Sequence, residues 1–472
     1  MITWTTLHLV AEWTIRLVML IYVPQRRSPA AARSWLLLIF IFPYGGLVLY
    51  WIFGRPYLPK RRIEIQQRAS ELARTRGQEL FRQYATDPGL ADPFRQAVTL
   101  AQNLGDFGIL GGNAIELLTD YDGNIDRLVG DIDAASQHVH LLYYIYGDDA
   151  TGRRVAQALA GAVKRGVKCR VLMDALGSKK SLRTLAPLMR GDGIEVYASL
   201  PIQLVRRKSA RFDLRNHRKI AVVDGRIAYI GSQNLINSDF KPGIIYEELV
   251  TRVTGPVVLQ LQAIFLTDYY LESNIDLTEP DLFPSQETTG SAAAQALPSG
   301  PGFPQANAQR LIVSLLHAAE KRIVITTPYF IPDEALLDAI KIAVLRGVEV
   351  HLVVSRIADQ VLVCQAQHSY YEELMQAGVH IHLYREHLLH AKHFTFDDQI
   401  AVIGSSNLDM RSFLLNAEIN LIVHDAQVTA ALARIQERYF AESDELTLEA
   451  WQQRPRWRKA VENTARLVDS VL

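Results

Sequence analysis

The chain has 472 residues, with 50 basic and 50 acidic side chains. That length exceeds one ordinary core, so two or three domains are expected. Balanced charge argues against a dedicated nucleic-acid binder, whose domain is strongly basic. Two cysteines, Cys169 and Cys364, exclude a disulfide framework or a cysteine zinc site, and their apolar surroundings predict buried free thiols.

The apolar run over residues 4–23 is interrupted by His8, Glu12 and Arg16, which share one helical stripe. Residues 35–53, WLLLIFIFPYGGLVLYWIF, carry no charge, with Trp35 and Trp51 near the ends. About 20 apolar residues span a bilayer core, and interfacial tryptophans fit. Two N-terminal transmembrane helices are therefore expected, the first turning its polar stripe to the second. Arg26, Arg27 and Arg33 mark the loop between them, and Arg55, Lys60, Arg61 and Arg62 mark the exit. Two spans place these clusters on opposite sides. The denser one leans the large domain towards the cytoplasm.

Residues 61–105 are polar and helix-prone. Alternation follows: NAIELLTDYDG reads as strand and turn, IDRLVGDIDAASQ as helix, HVHLLYYIY as strand. TGRRVAQALAGAVKRGVKCRVLM then gives helix, glycine turn and strand. The alternation predicts an α/β fold with a largely parallel, helix-covered sheet. The second half repeats this order. Arg165-Gly166-Val167 corresponds to Arg346-Gly347-Val348, and Gly193 to Gly378. The first copy alone has a basic insert through Arg206, Arg207, Lys208, Arg211 and Arg215. The expected organisation is a membrane anchor over 1–60, a juxtamembrane helical region over 61–105, tandem domains over 106–280 and 281–445, and a tail over 446–472. Residues 281–308, rich in Pro, Gly, Ser and Ala, link the halves around a short strand. The tail reads as a surface helix.

Both halves carry one polar pattern. NHRKIAVVDGRIAYIGSQN holds His217, Lys219, Asp224, Gly231, Ser232 and Asn234. HAKHFTFDDQIAVIGSSN holds His390, Lys392, Asp397, Gly404, Ser405 and Asn407 at the same spacing. Each reads as a hairpin with its aspartate at the turn. Histidine and lysine two apart on a strand face the same side. An imidazole beside an ammonium and amide donors suits a phosphate: lysine and asparagine hold the oxygens, and histidine attacks phosphorus or moves a proton. Two copies face to face supply both a nucleophile and an acid. Glu248 and Glu418 lie downstream, each placed to hold the histidine of its own copy in one tautomer. His387, His390 and His393 are spaced by three, but a strand scatters them over both faces, so no metal site is expected.

These residues resemble the signature of the phospholipase D superfamily, HxKxxxxD followed by GSxN, matched in full twice. LLYYIY, ITTPYFIPDEALL and GSSNLDMRSFLLNAEIN resemble bacterial cardiolipin synthases in particular. The resemblance covers essentially the whole chain. It implies two tandem phospholipase D-like α-β-α domains with pseudo-two-fold symmetry. It also implies metal-free phosphatidyl transfer between phosphatidylglycerols at a bacterial inner membrane, by a multi-pass protein without cofactor. His217 would form a phosphatidyl-histidine while His390 serves as acid and base, or the reverse. Lys219, Lys392, Asn234 and Asn407 would clamp phosphate. Glu247 adjoins Glu248, so either of the two is placed to orient His217. Transfer to water or another alcohol is the alternative within the superfamily.

Overall fold

The computed structural model describes residues 3–27, 29–54, 58, 60–201, 213–277, 279–303 and 306–467. Arg55 and the basic insert through Arg206, Arg207, Lys208 and Arg211 lie outside them. The described residues divide into two compact units, one up to Lys60 and one from Arg61 on.

The first unit holds α1 (Trp4–Tyr22), α2 (Pro29–Ile41) and α3 (Pro43–Phe53). The single span expected over 35–53 is not formed. Proline lacks the N–H a helix interior needs and pushes its predecessor out of the helical region. Accordingly Phe42 sits at φ −125° and ψ 78°, and the helix breaks there. α3 then folds back on α2, so that the Trp35 and Tyr50 rings meet edge to face with centroids 5.3 Å apart. A Cβ on Gly46 would lie 2.8 Å from Ile39 Cα, so glycine permits the close return. α1 lies alongside. His8 packs on Tyr44 near the corner, Arg16 donates to Phe40 O at 3.2 Å, and Arg27 donates to Phe53 O at 3.5 Å at the open end. At 1.5 Å per residue, α2 is about 20 Å long, short of a bilayer core of about 30 Å. No helix among the described residues is long and apolar enough to cross a membrane, which corrects the expectation of two spanning helices.

The second unit opens with α4 (Lys60–Arg82), of which all but the first residue belongs to it, and α5 (Asp92–Gly105). Its first half contains β1 (Leu110–Leu118), α6 (Tyr121–Asp133), β2 (His138–Tyr143), α7 (Ala150–Lys164), β3 (Lys168–Asp174) and two short helices, α8 (Lys179–Thr184) and α9 (Ala186–Gly191). β4 (Glu195–Ser199), β5 (Arg215–Asn216), β6 (Lys219–Val223), β7 (Ile227–Gly231), β8 (Tyr246–Glu247), β9 (Val250–Thr254) and α10 (Val258–Ser273) follow. The second half contains β10 (Ala292–Ser299), α11 (Asn307–Ala318), β11 (Arg322–Thr326), β12 (Phe330–Ile331), α12 (Glu334–Leu345), β13 (Glu349–Ser355) and α13 (Val361–Ala377). Then come β14 (His380–Tyr384), β15 (Leu388–Leu389), β16 (His393–Phe396), β17 (Ile400–Gly404), β18 (Leu408–Asp409), α14 (Met410–Leu414), β19 (Asn416–Val423) and α15 (Ala426–Ala441). β20 (Ser443–Glu445), α16 (Leu448–Gln452) and α17 (Arg456–Arg466) end the described chain.

The repeat is legible in the backbone. Gly166 and Gly347 take φ of 91° and 87° where α7 and α12 end, a left-handed conformation that glycine adopts without cost. Asp149 and Asp333 cap the starts of the same helices. Both halves share one sheet, in the order β20-β14-β13-β11-β16-β17-β19-β10-β1-β9-β7-β6-β2-β3-β4. The sheet is not largely parallel as expected. β2-β3-β4 and β11-β13-β14 pair in parallel, and the two-residue β5 joins β19 in parallel; the rest of the centre is antiparallel because the two motif hairpins and their return strands lie there. β10, in the segment expected as a link, is wholly buried and pairs with both β1 and β19, joining the two half-sheets. α10 and α15 cover these central strands through Leu261, Phe265 and Leu432. Trp451 is buried beside the α13 tyrosine Tyr371, so the tail docks on the second half. Cys169 is buried; Cys364 is only partly so, 3.4 Å from His368 Nε2.

Candidate active site

β6 and β7 form the first motif hairpin and β16 and β17 the second. At the turns, Asp224 and Asp397 both take φ of 51°. The Asp224 carboxylate accepts the N–H groups of Ser136, Gln137 and His138 at 2.8–2.9 Å. Asp397 accepts those of Glu320, Lys321 and Arg322 at 2.6–2.9 Å. Each aspartate thus stitches its hairpin to the start of the neighbouring strand. Neither lines the cavity on which the histidines meet, and the contacts seen for both are those of hairpin turns.

The histidines meet at one cavity of about 330 Å³ between the halves. His217 and His390 both line it, with Asn234, Asn407 and Glu248. The main chain explains the meeting. β5 pairs with β19 and β15 with β8, each a two-residue parallel contact between halves. His217 N–H donates to Ala417 O at 2.8 Å, and His390 N–H to Glu247 O at 2.8 Å. Each histidine is therefore pinned beside the residue preceding the other half's glutamate.

The consequence is a crossed arrangement. His217 Nδ1 lies 3.0 Å from Glu418, and His390 Nδ1 lies 2.7 Å from Glu248. Each imidazole is held by the opposite copy, not by its own as expected. The Glu247 side chain is engaged elsewhere, accepting from Arg438 at 2.6 Å. A carboxylate on Nδ1 fixes the tautomer that leaves Nε2 free for the cavity. Burial pushes His217 down to about 4 against the opposing pull of Glu418, and His390 is lowered for the same reason against Glu248. Burial would raise both glutamates, but the paired histidines and nearby lysines hold them below the usual carboxylate range.

Lys219 and Lys392 are buried behind the histidines, donating to His217 O at 2.6 Å and His390 O at 2.5 Å. Burial pushes them down to about 7 and about 8. Each lysine's charge also lowers the opposite half's histidine, so all four groups converge. Asn234 Oδ1 accepts Ile145 N–H at 3.0 Å, leaving its amide donors for the cavity. Ser232 and Ser405 do not line it, contrary to their expected substrate contact. Ser232 Oγ accepts from Leu249 N–H, and Ser405 Oγ donates to Glu418 at 2.5 Å. A Cβ on Gly231 or Gly404 would lie 2.3 or 2.2 Å from the carbonyl of Leu249 or Ile419, so glycine lets the motif press against the glutamate-bearing strand. His387, His390 and His393 diverge: the first approaches Glu247, the last is buried against Gln436.

A family profile described as "Cardiolipin synthase, PLD-like domain" matches residues 128–269 and 312–440. The chain belongs to this family. A second profile, "Phospholipase_D-nuclease N-terminal", matches residues 14–55. Cardiolipin synthase A of Pectobacterium carotovorum subsp. carotovorum (strain PC1) is 37% identical over 470 residues, covering 96% of this chain and 94% of that protein. Cardiolipin synthase A of Serratia proteamaculans (strain 568) is 36% identical over 474 residues, with the same coverage. Among solved structures, phosphatidylserine synthase of Haemophilus influenzae Rd KW20 matches with a TM-score of 0.64 at 16% identity, covering 81% of this chain and 100% of that one. That last likeness is one of fold.

For this member of the cardiolipin synthase family, sequence reasoning missed several lining groups. Tyr144 packs on His217 with ring centroids 4.8 Å apart, and Tyr246 on His390 at 5.6 Å. Lys241 and Asp359 pair at 2.7 Å across the halves, and Tyr329 OH donates to the same aspartate. The aromatic runs LLYYIY and ITTPYF held the signal for Tyr144 and Tyr329; nothing local marks Lys241 or Asp359.

Proposed function

We propose that the protein joins two phosphatidylglycerols into cardiolipin and releases glycerol through a phosphatidyl-histidine. The observation that carries this reading is the pair of imidazoles from two halves on one cavity, each steadied by the opposite glutamate. The cardiolipin synthase relatives, matched over nearly the full chain, supply the substrate class.

One histidine's Nε2 attacks phosphorus, and the bond from phosphorus to the glycerol oxygen breaks. The other histidine, protonated, gives its proton to that oxygen. It then takes the proton of the incoming lipid hydroxyl, whose oxygen displaces the histidine and restores a phosphodiester. Lys219, Lys392, Asn234 and Asn407 hold the phosphate oxygens and offset the charge that builds on them. One primary-alcohol diester replaces another, so no nucleotide is consumed. Residues 106–280 and 281–445 act as one catalytic body, since neither completes a histidine–glutamate pair alone.

A lipid substrate calls for a membrane. Trp4, Trp13, Phe42 and Trp51 are exposed on the first unit, an apolar surface suited to bilayer insertion. We place the helical hairpin in one leaflet, which gives membrane attachment without a crossing.

Purified protein in liposomes of labelled phosphatidylglycerol tests the reading. Cardiolipin and glycerol are expected, with both products lost in His217→Ala and His390→Ala. Phosphatidic acid as the dominant product would instead mark a hydrolase.

A further inference from the structure

Transfer between two phosphatidylglycerols, the reading on which this inference rests, brings two phosphate anions into one cavity. The reacting phosphate meets Lys219, Lys392 and the two asparagines. The accepting lipid carries its own phosphate, separated from its attacking hydroxyl by the three glycerol carbons. That second anion needs a cation of its own, or repulsion from the first would exclude it.

Three cationic side chains besides the histidines line the cavity wall itself: Arg215, Lys241 and Arg411. Arg215 is paired with Asp174 at 3.3 Å, and Lys241 with Asp359 at 2.7 Å. Both are neutralised in place. Arg411 has no carboxylate within ion-pair distance among the described residues. Its one hydrogen bond there is from Nη2 to the Asp213 carbonyl at 3.1 Å, which positions the fork without cancelling its charge. Asp409, two residues earlier, accepts Ser412 N–H at 2.7 Å as the cap of α14.

The repeat sharpens the point. Counted from the motif asparagines, the first-half position matching Arg411 is Ser238, a residue without charge. The excess cation therefore belongs to one half only. It breaks the pseudo-symmetry of a cavity that must treat its two lipids differently.

We propose that Arg411 forms the subsite for the phosphate of the accepting lipid, and so makes the enzyme select anionic phospholipid acceptors over neutral alcohols. A guanidinium fork presents paired donors to phosphate oxygens, where a neutral alcohol offers nothing to bind.

The test uses the full chain in liposomes of labelled phosphatidylglycerol with ethanol as a competing neutral acceptor. Phosphatidylethanol and cardiolipin are quantified together. Losing a hydrogen bond to a charged group predicts a roughly 10- to 100-fold rise in the ratio of phosphatidylethanol to cardiolipin for Arg411→Gln. Transfer to ethanol itself should persist, which also reports a folded site. Arg411→Lys, which keeps the charge, should restore most of the preference for the lipid acceptor. An equal fall of both products in Arg411→Gln would overturn the subsite. So would an unchanged ratio. Phosphatidic acid alone from the unaltered protein would instead overturn the transfer reading beneath it.

Discussion

Replacing Glu418 by glutamine removes one charge and almost no volume from the crossed pair. Glu418 lies 3.0 Å from His217 Nδ1 and is fully buried. Glutamine still offers an oxygen to Nδ1–H, so the tautomer survives. The support for a positively charged imidazole does not. At an effective dielectric of about 20, unit charges about 4 Å apart interact by about 4 kcal/mol. A loss of that size from the charged state slows turnover roughly 10³-fold. Glu418 also supports the charge of Lys219, so the alkaline limb of the pH profile should move to lower pH. The assay is initial-rate cardiolipin formation, with Glu247→Gln as control; that residue pairs with Arg438 and touches neither histidine through its side chain. Labelled-histidine NMR adds the decisive readout: Glu418→Gln must shift His217, and Glu248→Gln must shift His390. Near-normal turnover, or the reverse pattern of shifts, refutes the crossed arrangement.

Lys219 and Lys392, lowered to about 7 and about 8 by burial, lose their charge as pH rises through those values in the free protein. Hence kcat/KM should fall above about pH 7, while kcat holds to higher pH because a bound phosphate favours the charged lysines; a flat kcat/KM across this range contradicts it. Asp224→Ala should destabilise the fold by about 2 kcal/mol through lost charged hydrogen bonds, read as a lowered denaturation midpoint. Turnover per folded molecule should survive, and inactivity matching His217→Ala would return Asp224 to the chemistry. In sealed vesicles of a Cys364→Ala background, Gln25→Cys and Gln67→Cys should react with an impermeant maleimide from the same side. Labelling from opposite sides would restore the transmembrane span.

The repeat and the two hairpins are legible because both are local: apolar runs, an aspartate turn and a glycine at a fixed distance. The convergence of His217 and His390 follows once the copies face each other. The crossed glutamates are not legible, because β5–β19 and β8–β15 are two-residue contacts between distant segments and carry no periodic signal. The same distance hides the pairing of Lys241 with Asp359. Asp224 and Asp397 show the opposite difficulty: a place in a catalytic signature masks their turn chemistry, although an aspartate at a hairpin turn is itself a structural signal. Over residues 35–53 mean apolarity favours one span, but Pro43 with Gly46 decides the fold. A break in hydrogen bonding outweighs hydropathy there, since α3 can bury its return face on α2.

The stereochemical course at phosphorus tests the double displacement most directly. Phosphatidylglycerol made chiral at phosphorus by isotopic oxygen would be converted by the intact enzyme and the configuration of the cardiolipin read. Two successive in-line attacks, first by a histidine and then by the second lipid, must return the original configuration. Inversion would mean that the acceptor strikes phosphorus directly and that no phosphatidyl-histidine forms.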